Sequence, residues 1–321
     1  MKRREFLSLG SAFGISAFAP NLFAKENFTI YGAPAVPSAI IAIASLQGKL
    51  SKSMNTELKI WKTPDQLRAG VASKTFKVMM SPSNVGVNLK NQNQNVAMLN
   101  ILTESIQNII TKDKNIKELG DLEGKKMIMP FKNDMPDLIF HALCKKQGVD
   151  VSKIDITYTT TPPESMLMLL QSKDYVASIL PEPMGTAAIF KGKKLGVSIH
   201  RSIAIHKEWG KSFNTANSIP QAGMIVDVDY YNNHIKEFEV FHEDLKNALI
   251  WLNGNKQSAA EIASAYLPAN KIIIANSFEH ANLCVKKASD IRDEIMEFFE
   301  IMFEFNPKIL GGKMPDKGFF L

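Results

Sequence analysis

Polar side chains that could bind a small molecule lie in short loops between predicted strands and the helices that follow them. In open α/β sheets such loops stand at the carboxyl ends of the strands, where ligands bind. A helix start also offers free backbone N–H groups, which suit anionic or polar ligand atoms. A single loop of this kind is explained more simply as a capping turn, but several loops facing one cleft predict a binding site. The five candidate loops are residues 34–38, 81–84, 130–134, 160–163 and 180–183.

Charged side chains in or near these loops bear on the charge of the ligand. Lys132, beside the predicted helix start at Asp134, could bind a sulfonate or a carboxylate. Glu104 and Glu182 would instead attract an amine or accept hydrogen bonds from ring N–H groups. Both signs together favour a zwitterion or a polar ring over a bare inorganic anion, although each side chain could simply face water, and Glu182 could stabilise the first turn of its helix. Aromatic side chains that could stack on a ring, or pack in the core, are Tyr31, Trp61 and Phe131.

The sequence contains no motif that is typical of an enzyme or a metal site. A P-loop, G-x-G-x-x-G, G-x-S-x-G and H-E-x-x-H are all missing from it. The six histidines are dispersed, with no pair at the i, i+4 spacing of a helical metal site. Cys144 and Cys284 show no metal spacing, and Cys144, inside a predicted helix, is interpreted as a core thiol. We therefore predict no catalytic residue, no metal and no cofactor.

Composition restricts the class of protein without fixing its function. The 321 residues are 45% apolar and 22% charged, which is typical of a soluble globular protein of about two domains. The formal net charge of +6 is too mild and too scattered for the basic stripe of a nucleic-acid binder. We therefore expect no nucleic-acid partner.

The first 24 residues have the pattern of an export signal. Arg3 and Arg4 precede Phe-Leu as in the twin-arginine motif, and the apolar stretch at 6–18 is too short to span a membrane. An ordinary secretory signal that happens to carry two arginines is the alternative. We expect cleavage near Ala24, no lipid anchor because no cysteine is near, and a periplasmic location with no membrane insertion of the mature chain.

Predicted strands and helices alternate through two successive units, and the chain then becomes mainly helical. The helical end is expected to return to the first unit, which predicts an α/β fold with a discontinuous domain 1 at 25–106 and 224–321 and a domain 2 at 107–223. Two chain crossings between the domains would form a hinge. The predicted strands are 28–31, 56–61, 76–80, 96–102, 106–111, 125–129, 154–158, 176–180, 195–199 and 219–227; the predicted late helices are 238–252, 259–266, 270–278 and 290–303.

Four segments resemble the periplasmic substrate-binding proteins of the nitrate/sulfonate/taurine (NitT/TauT) class of ABC importers. Their order and spacing extend over nearly the whole chain after the signal. The resemblance implies a type II periplasmic binding protein with the ligand held between two lobes, and a membrane permease and a cytoplasmic ATPase as partners. The segments are IKELGDLEGKK at 116–126, PFKNDMPD at 130–137, LPEP at 180–183 and GGKMPD at 311–316.

The resemblance also places residues along the cleft, but it leaves the ligand open. Members of the class bind nitrate, alkanesulfonates, taurine, thiamine pyrimidine precursors and other small molecules. A related fold serves enzymes of menaquinone and pyrimidine biosynthesis, so an enzyme on the same scaffold is the alternative, and a periplasmic sensor or assembly factor is a third. We expect a monomer. The resemblance places Ser38, Ser83, Asn84, Lys132, Asn133, Asp134 and Glu182 in the cleft, and the loops and charges add Ser81, Glu104 and Thr161.

Overall fold

The computed structural model describes residues 25–216 and 218–321. The predicted export signal and its cleavage site lie outside these residues. Within them the chain forms two separate sheets, each covered by helices. None of the described helices combines the length and the apolar character needed to cross a bilayer.

The first sheet contains strands from both ends of the chain. Its strand order is β11-β4-β10-β3-β1-β2. β1 is parallel to β2 and β3, whereas β10 is antiparallel to both β3 and β4 and β11 is antiparallel to β4. Its strands are β1 (Asn27–Gly32), β2 (Asn55–Ile60), β3 (Val78–Pro82), β4 (Val96–Thr103), β10 (Ala222–Asp227) and β11 (Leu283–Lys287).

The second sheet is formed by the middle of the chain. Its strand order is β7-β6-β8-β5-β9. β6 is parallel to β7 and β8, and β5 is antiparallel to β8 and β9. Its strands are β5 (Gln107–Thr111), β6 (Lys126–Pro130), β7 (Asp155–Thr159), β8 (Tyr175–Pro181) and β9 (His200–Ala204).

Helix positions follow from local signals and from burial. The helix over Pro64–Ala72 begins as predicted, because the Thr63 hydroxyl accepts a hydrogen bond from the N–H of Gln66 and Pro64 occupies the first turn. The helix over Ser38–Gln47 is apolar almost all round because it packs between the sheet and two later helices. The helices are α1 (Ser38–Gln47), α2 (Leu50–Ser53), α3 (Pro64–Ala72), α4 (Ser83–Asn91), α5 (Met135–Gln147), α6 (Pro162–Gln171), α7 (Met184–Leu195), α8 (Ile205–Phe213), α9 (Val228–Asn233), α10 (Ile235–Gly254), α11 (Lys256–Ala263), α12 (Lys271–Ser277) and α13 (Arg292–Phe305).

Two chain segments connect the lobes, and they are hydrogen-bonded to each other. The first runs from β4 to β5 and the second from β9 through α8 to β10. The Ile219 N–H donates to the Glu104 carbonyl at 3.0 Å, and the Gln221 N–H donates to the Thr103 carbonyl at 3.2 Å. The predicted two-lobed α/β fold with a two-segment hinge is therefore confirmed. The domain limits at 106/107 and 223/224 stay predictions.

Three sequence predictions of secondary structure are wrong, all of them outside the centres of the sheets. Residues 195–199 are the last residue of α7 and a loop. The strand follows directly as β9, which begins at His200. α8 was not predicted, and β11 lies between the predicted helices 270–278 and 290–303, where no strand was predicted. β9 and β11 are edge strands with mostly half-buried side chains, so their local sequences carry no strong period-2 pattern. Long-range pairing with β5 and β4 decides their conformation.

Candidate ligand-binding site

A cavity lies between the two lobes, and we call it the interlobe cavity. The space in which the centre of a water molecule fits has a volume of about 110 Å³. All five loops that were predicted to share a cleft contribute to its wall. Its lining residues are Ala33, Pro34, Ala35, Trp61, Pro64, Leu67, Met80, Ser81, Pro82, Val85 and Ala222 from the first lobe, Gln107, Phe131, Asp134, Met135, Pro136, Pro162 and Pro181 from the second, and Ile106 and Gln221 from the hinge.

Aromatic and proline side chains give the interlobe cavity an apolar wall. Trp61 is 6% exposed, and its indole N–H donates to the Met80 carbonyl at 3.0 Å, so its only polar atom is already bonded. Phe131 has φ +64°, a left-handed conformation that is uncommon for a bulky residue and is often found at ligand sites. The two rings, one from each lobe, therefore belong to a wall that favours apolar contact.

Four residues of the wall carry polar side chains, and three of these side chains already have partners. The Ser81 hydroxyl donates to the Pro82 carbonyl at 3.0 Å, and the Gln221 amide oxygen accepts from the Ile106 N–H at 3.0 Å. Asp134 accepts from Arg68 at 3.2 Å. The fourth residue, Gln107, is 4% exposed, and its buried amide oxygen has no partner among the described residues. Among the described residues of the wall, Gln107 is therefore the one whose side chain has a buried polar atom without a partner.

The Arg68–Asp134 pair joins the two lobes at the edge of the interlobe cavity. Arg68 lies in α3 of the first lobe and Asp134 caps α5 of the second, and their side chains are 43% and 13% exposed. Burial raises the pKa of Asp134 above its ordinary value even though the guanidinium favours the charged carboxylate. Since Arg68 balances the charge of Asp134, the wall presents no free charge to a ligand.

The expectation of free N–H groups at the helix starts is wrong for α6 and for α1. In α6, Pro162 and Pro163 have no N–H, the Glu164 N–H donates to the Thr161 hydroxyl, and the Ser165 N–H donates to the Thr161 carbonyl. The first three N–H groups of α1 donate to the carbonyls of residues 35–37. At α4 the Ser83 N–H donates to the Gln221 carbonyl at 2.9 Å. The α6 and α1 starts are therefore occupied by the protein's own acceptors, and at α4 one N–H group is occupied.

Of the ten predicted ligand residues, Ser81 and Asp134 line the interlobe cavity. Asn84, Asn133 and again Asp134 line an adjoining polar groove, together with Arg68 and Lys308. The remaining six lie outside both. Those six are Ser38, Ser83, Glu104, Lys132, Thr161 and Glu182.

Several of these outlying side chains have structural contacts of their own. The Ser38 hydroxyl donates to the Ala33 carbonyl at 2.6 Å, and Thr161 caps α6. Glu104 pairs with Lys286 at the hinge. Lys132 is exposed and lies over the Tyr158 ring, 5.1 Å from its centroid. The ligand role of these residues stays a prediction.

Glu182 is fully buried and makes a dense set of contacts. One carboxylate oxygen accepts from Arg201, and the other accepts from the Thr186 N–H at 3.1 Å. Arg201 also donates to the Thr186 hydroxyl at 3.1 Å. The Glu182 carbonyl accepts from the Val36 N–H of the first lobe at 3.4 Å, beside the cis peptide bond between Glu182 and Pro183. The side chain therefore holds the second lobe together at the point where it touches the first.

Sequence reasoning missed Gln107 and Gln221 as wall residues and treated the prolines only as helix starts. Gln107 lies inside the fully buried strand β5, where nothing in its local pattern separates it from a core residue. The prolines did carry a signal. Pro64 and Pro162 begin helices that follow strands, and the start at Pro162 was already expected at the cleft.

A polar cluster in the second lobe could suggest catalysis, but its geometry is structural. Asp137 accepts from the Tyr158 hydroxyl at 2.8 Å, from His141 at 3.1 Å and from the Asn133 N–H at 2.7 Å. Asp137 is buried, and its contacts fix the loop before α5. The described residues contain no group of three or more His, Cys, Asp or Glu placed to bind a metal.

The two lobes, the paired hinge and the cavity between them define a ligand-binding protein fold of the periplasmic type. A family model described as the NMT1-like family matches residues 67–267. The chain belongs to the NMT1-like family, and the resemblance stated from the sequence is confirmed. No curated protein sequence matches the chain.

Solved structures share the fold at low sequence identity. An ABC transporter protein from Parabacteroides distasonis has a TM-score of 0.76 at 15% identity, covering 92% of this chain and 98% of its own. The periplasmic aliphatic sulphonate-binding protein SsuA from Escherichia coli has a TM-score of 0.69 at 12% identity, covering 87% and 92%. The periplasmic nitrate-binding protein NrtA from Synechocystis has a TM-score of 0.60 at 14% identity, covering 79% and 70%. At these identities the similarity establishes the fold.

Proposed function

We propose that this protein is the solute receptor of an ABC importer. It captures a small organic molecule between its lobes and delivers the molecule to a membrane permease that is driven by a cytoplasmic ATPase. The observation that carries the proposal is the interlobe cavity, whose wall is contributed by both lobes and by both hinge segments. The family match and the transport proteins among the structural neighbours support it.

The receptor works by coupling ligand binding to closure of the lobes. A ligand that touches both lobes favours the closed form by its differential affinity for closed over open. The Arg68–Asp134 pair and the hydrogen bond from Val36 to the Glu182 carbonyl cross between the lobes, so they add to the stability of the closed form. The hinge hydrogen bonds, by contrast, join the two crossing segments to each other. The permease then recognises the closed form.

We also propose that the protein is exported and that its mature chain forms two domains. Residues 1–24 direct the chain to the periplasm by the twin-arginine route and are cleaved near Ala24. The mature monomer has domain 1 at 25–106 and 224–321 and domain 2 at 107–223. It releases its ligand unchanged, a role that the transport proteins among the structural neighbours support.

Ligand extraction from the exported protein tests the proposal. Protein purified from the periplasm of expressing cells is denatured, and released small molecules are identified by mass spectrometry. We expect one compound in near-stoichiometric amount, which rebinds and is recovered unchanged. Ala35→Trp, which fills the interlobe cavity, should abolish retention, whereas Ala69→Trp on the exposed face of α3 should not. Chemical conversion of the compound would favour an enzyme, and equal retention by both variants would refute the cavity as the site.

A further inference from the structure

Given the proposed receptor function, we propose that the ligand is an uncharged, largely apolar small molecule with one hydrogen-bonding group, held by Gln107. The apolar part would lie between Trp61 of the first lobe and Phe131 of the second. Removing an apolar surface from water contributes roughly 25 cal/mol per Å². This class of ligand differs from the zwitterion or polar ring that the loop charges favour.

Charge is the first argument for an uncharged ligand. Among the described residues that line the interlobe cavity, Asp134 is the one ionisable group, and Arg68 of the other lobe pairs with it. Lys132, the cation expected to bind an anion, is exposed and faces Tyr158. A sulfonate or a carboxylate would therefore be buried without a counter-charge, and burying an unpaired ion is strongly unfavourable.

Backbone donors are the second argument. Anion sites in proteins commonly use free N–H groups at helix starts. Here α6 has prolines at its first two positions, and its next two N–H groups donate to Thr161. The α1 start bonds to its own preceding turn, and the Ser83 N–H of α4 bonds to Gln221. The loops before α6 and α1 have therefore lost these donors to proline or to internal acceptors, and the loop before α4 has lost one of them.

Gln107 supplies the third argument. Its amide oxygen is buried, and no described residue donates to it. Leaving a buried polar atom without a partner is unfavourable, so a ligand that donates a hydrogen bond to it gains affinity. Of the other neutral polar groups of the wall, the Ser81 hydroxyl and the Gln221 amide oxygen are already bonded inside the protein. One neutral donor group, such as a hydroxyl or an amide, satisfies this site.

A matched set of ring compounds tests the charge of the ligand. The probes are benzyl alcohol, toluene, benzoate, benzenesulfonate and benzylamine, titrated into the exported protein by calorimetry and by thermal unfolding, after the extraction above has shown whether a retained compound must first be removed. We expect benzyl alcohol to bind at least tenfold more tightly than each charged analogue. Trp61→Phe should remove the accompanying change in tryptophan fluorescence, because Trp61 lines the cavity. Ala35→Trp should abolish binding.

A second comparison tests the role of Gln107. Gln107→Met keeps the size of the side chain and removes its amide. It should therefore weaken the binding of benzyl alcohol about fivefold and leave the binding of toluene unchanged. Gln92→Met, on the exposed end of the α4 segment, is the control and should change neither. An equal loss for both probes would show a structural role and overturn the assignment of Gln107.

The outcomes separate this inference from the proposed function. If benzoate or benzenesulfonate binds as tightly as benzyl alcohol, the inference is overturned and the receptor function stands. If no probe binds, the apolar cavity does not accept apolar molecules and the inference is again overturned. The receptor function itself fails only if the exported protein retains no compound, or if it converts the compound it retains.

Discussion

Replacing Glu182 by glutamine should destabilise the second lobe, because Arg201 would lose the charge that balances it inside the protein. Glu182 is fully buried and Arg201 is 19% exposed. The same carboxylate accepts from the Thr186 N–H at the start of α7. In Glu182→Gln the shape is kept and the negative charge is removed, so the guanidinium is left buried without its counter-charge.

The size of the effect follows from the burial of the pair. Removing one partner of a buried ion pair typically costs about 3–5 kcal/mol. Arg201 keeps some contact with water and its bond to the Thr186 hydroxyl, so we expect the lower end, about 3 kcal/mol. For a chain of this size that should lower the midpoint of thermal unfolding by roughly 5–10 °C.

A double-mutant cycle isolates the contribution of the pair. Thermal unfolding is followed by calorimetry for Glu182→Gln, Arg201→Met and the double variant. The double variant should be less destabilised than the sum of the single variants, because it leaves neither charge unpaired. Glu243→Gln is the control: Glu243 and Lys246 are 58% and 48% exposed, so loss of this solvent-screened pair should leave the unfolding temperature nearly unchanged.

One result would refute the structural role of Glu182. If Glu182→Gln unfolds at the temperature of the unmodified protein while retention of the extracted ligand falls tenfold or more, the carboxylate serves the ligand. The assignment of Glu182 to the cleft, made from the sequence, would then be correct. A lower unfolding temperature with retention of a stoichiometric ligand at low temperature supports the packing role instead.

Three further predictions concern the lobe contact, the thiols and pH. Arg68→Met removes the partner of Asp134, so it should weaken the binding of benzyl alcohol about fivefold and raise the radius of gyration measured by X-ray scattering. Arg292→Met is the control, because its partner Asp293 is exposed, and it should change neither quantity. Burial raises the pKa of both Cys144 and Cys284 to about 12, so a disulfide reagent at pH 8 should modify two thiols after denaturation and none before; rapid reaction of the native protein would contradict this burial. Burial alone would lower the pKa of His234, but hydrogen bonds to the Tyr230 carbonyl and to Glu26 outweigh it and raise the pKa above 6.5. The charged imidazole therefore stabilises the fold below pH 6.5, and this contribution is lost as the pH rises through the folded pKa. His234→Gln should remove that slope from the free energy of unfolding, by less than about 1 kcal/mol because Glu26 is exposed, and an unchanged slope would refute it.

Local signals made much of the fold predictable from the sequence. Thr63 followed by Pro64 marks a helix start by itself, because the hydroxyl and the proline act within one turn. The edge strands β9 and β11 could not be found in this way, since their partners β5 and β4 are distant in sequence and their own side chains are only half buried. Strand pairing at a sheet edge is decided by tertiary structure.

The meeting of the five loops at one cavity was predictable, but the contacts of their side chains were not. The order of strands and helices brings the five loops to one cavity whatever their side chains are. Whether Glu182 faces a ligand depends on Arg201, which lies on β9, a strand that was itself misplaced. Whether Ser83 offers a free N–H depends on the carbonyl of Gln221, which lies on the second hinge segment, just before β10. Each of these partners is supplied by a distant part of the chain.

In the proposed binding mode, loop residues and not the sheets determine the charge of the ligand. Structures of a sulphonate-binding and a nitrate-binding protein share its fold at 12% and 14% identity, so the common backbone leaves the ligand open. In this chain Pro162 and Pro163 remove two N–H donors from one loop without altering the helix, because proline suits the first turn. Such a change has little effect on the stability of the fold, but it removes hydrogen bonds that an anion would accept. A preference for uncharged ligands can thus arise at a few positions at the carboxyl ends of the strands while the lobes and the hinge stay as they are.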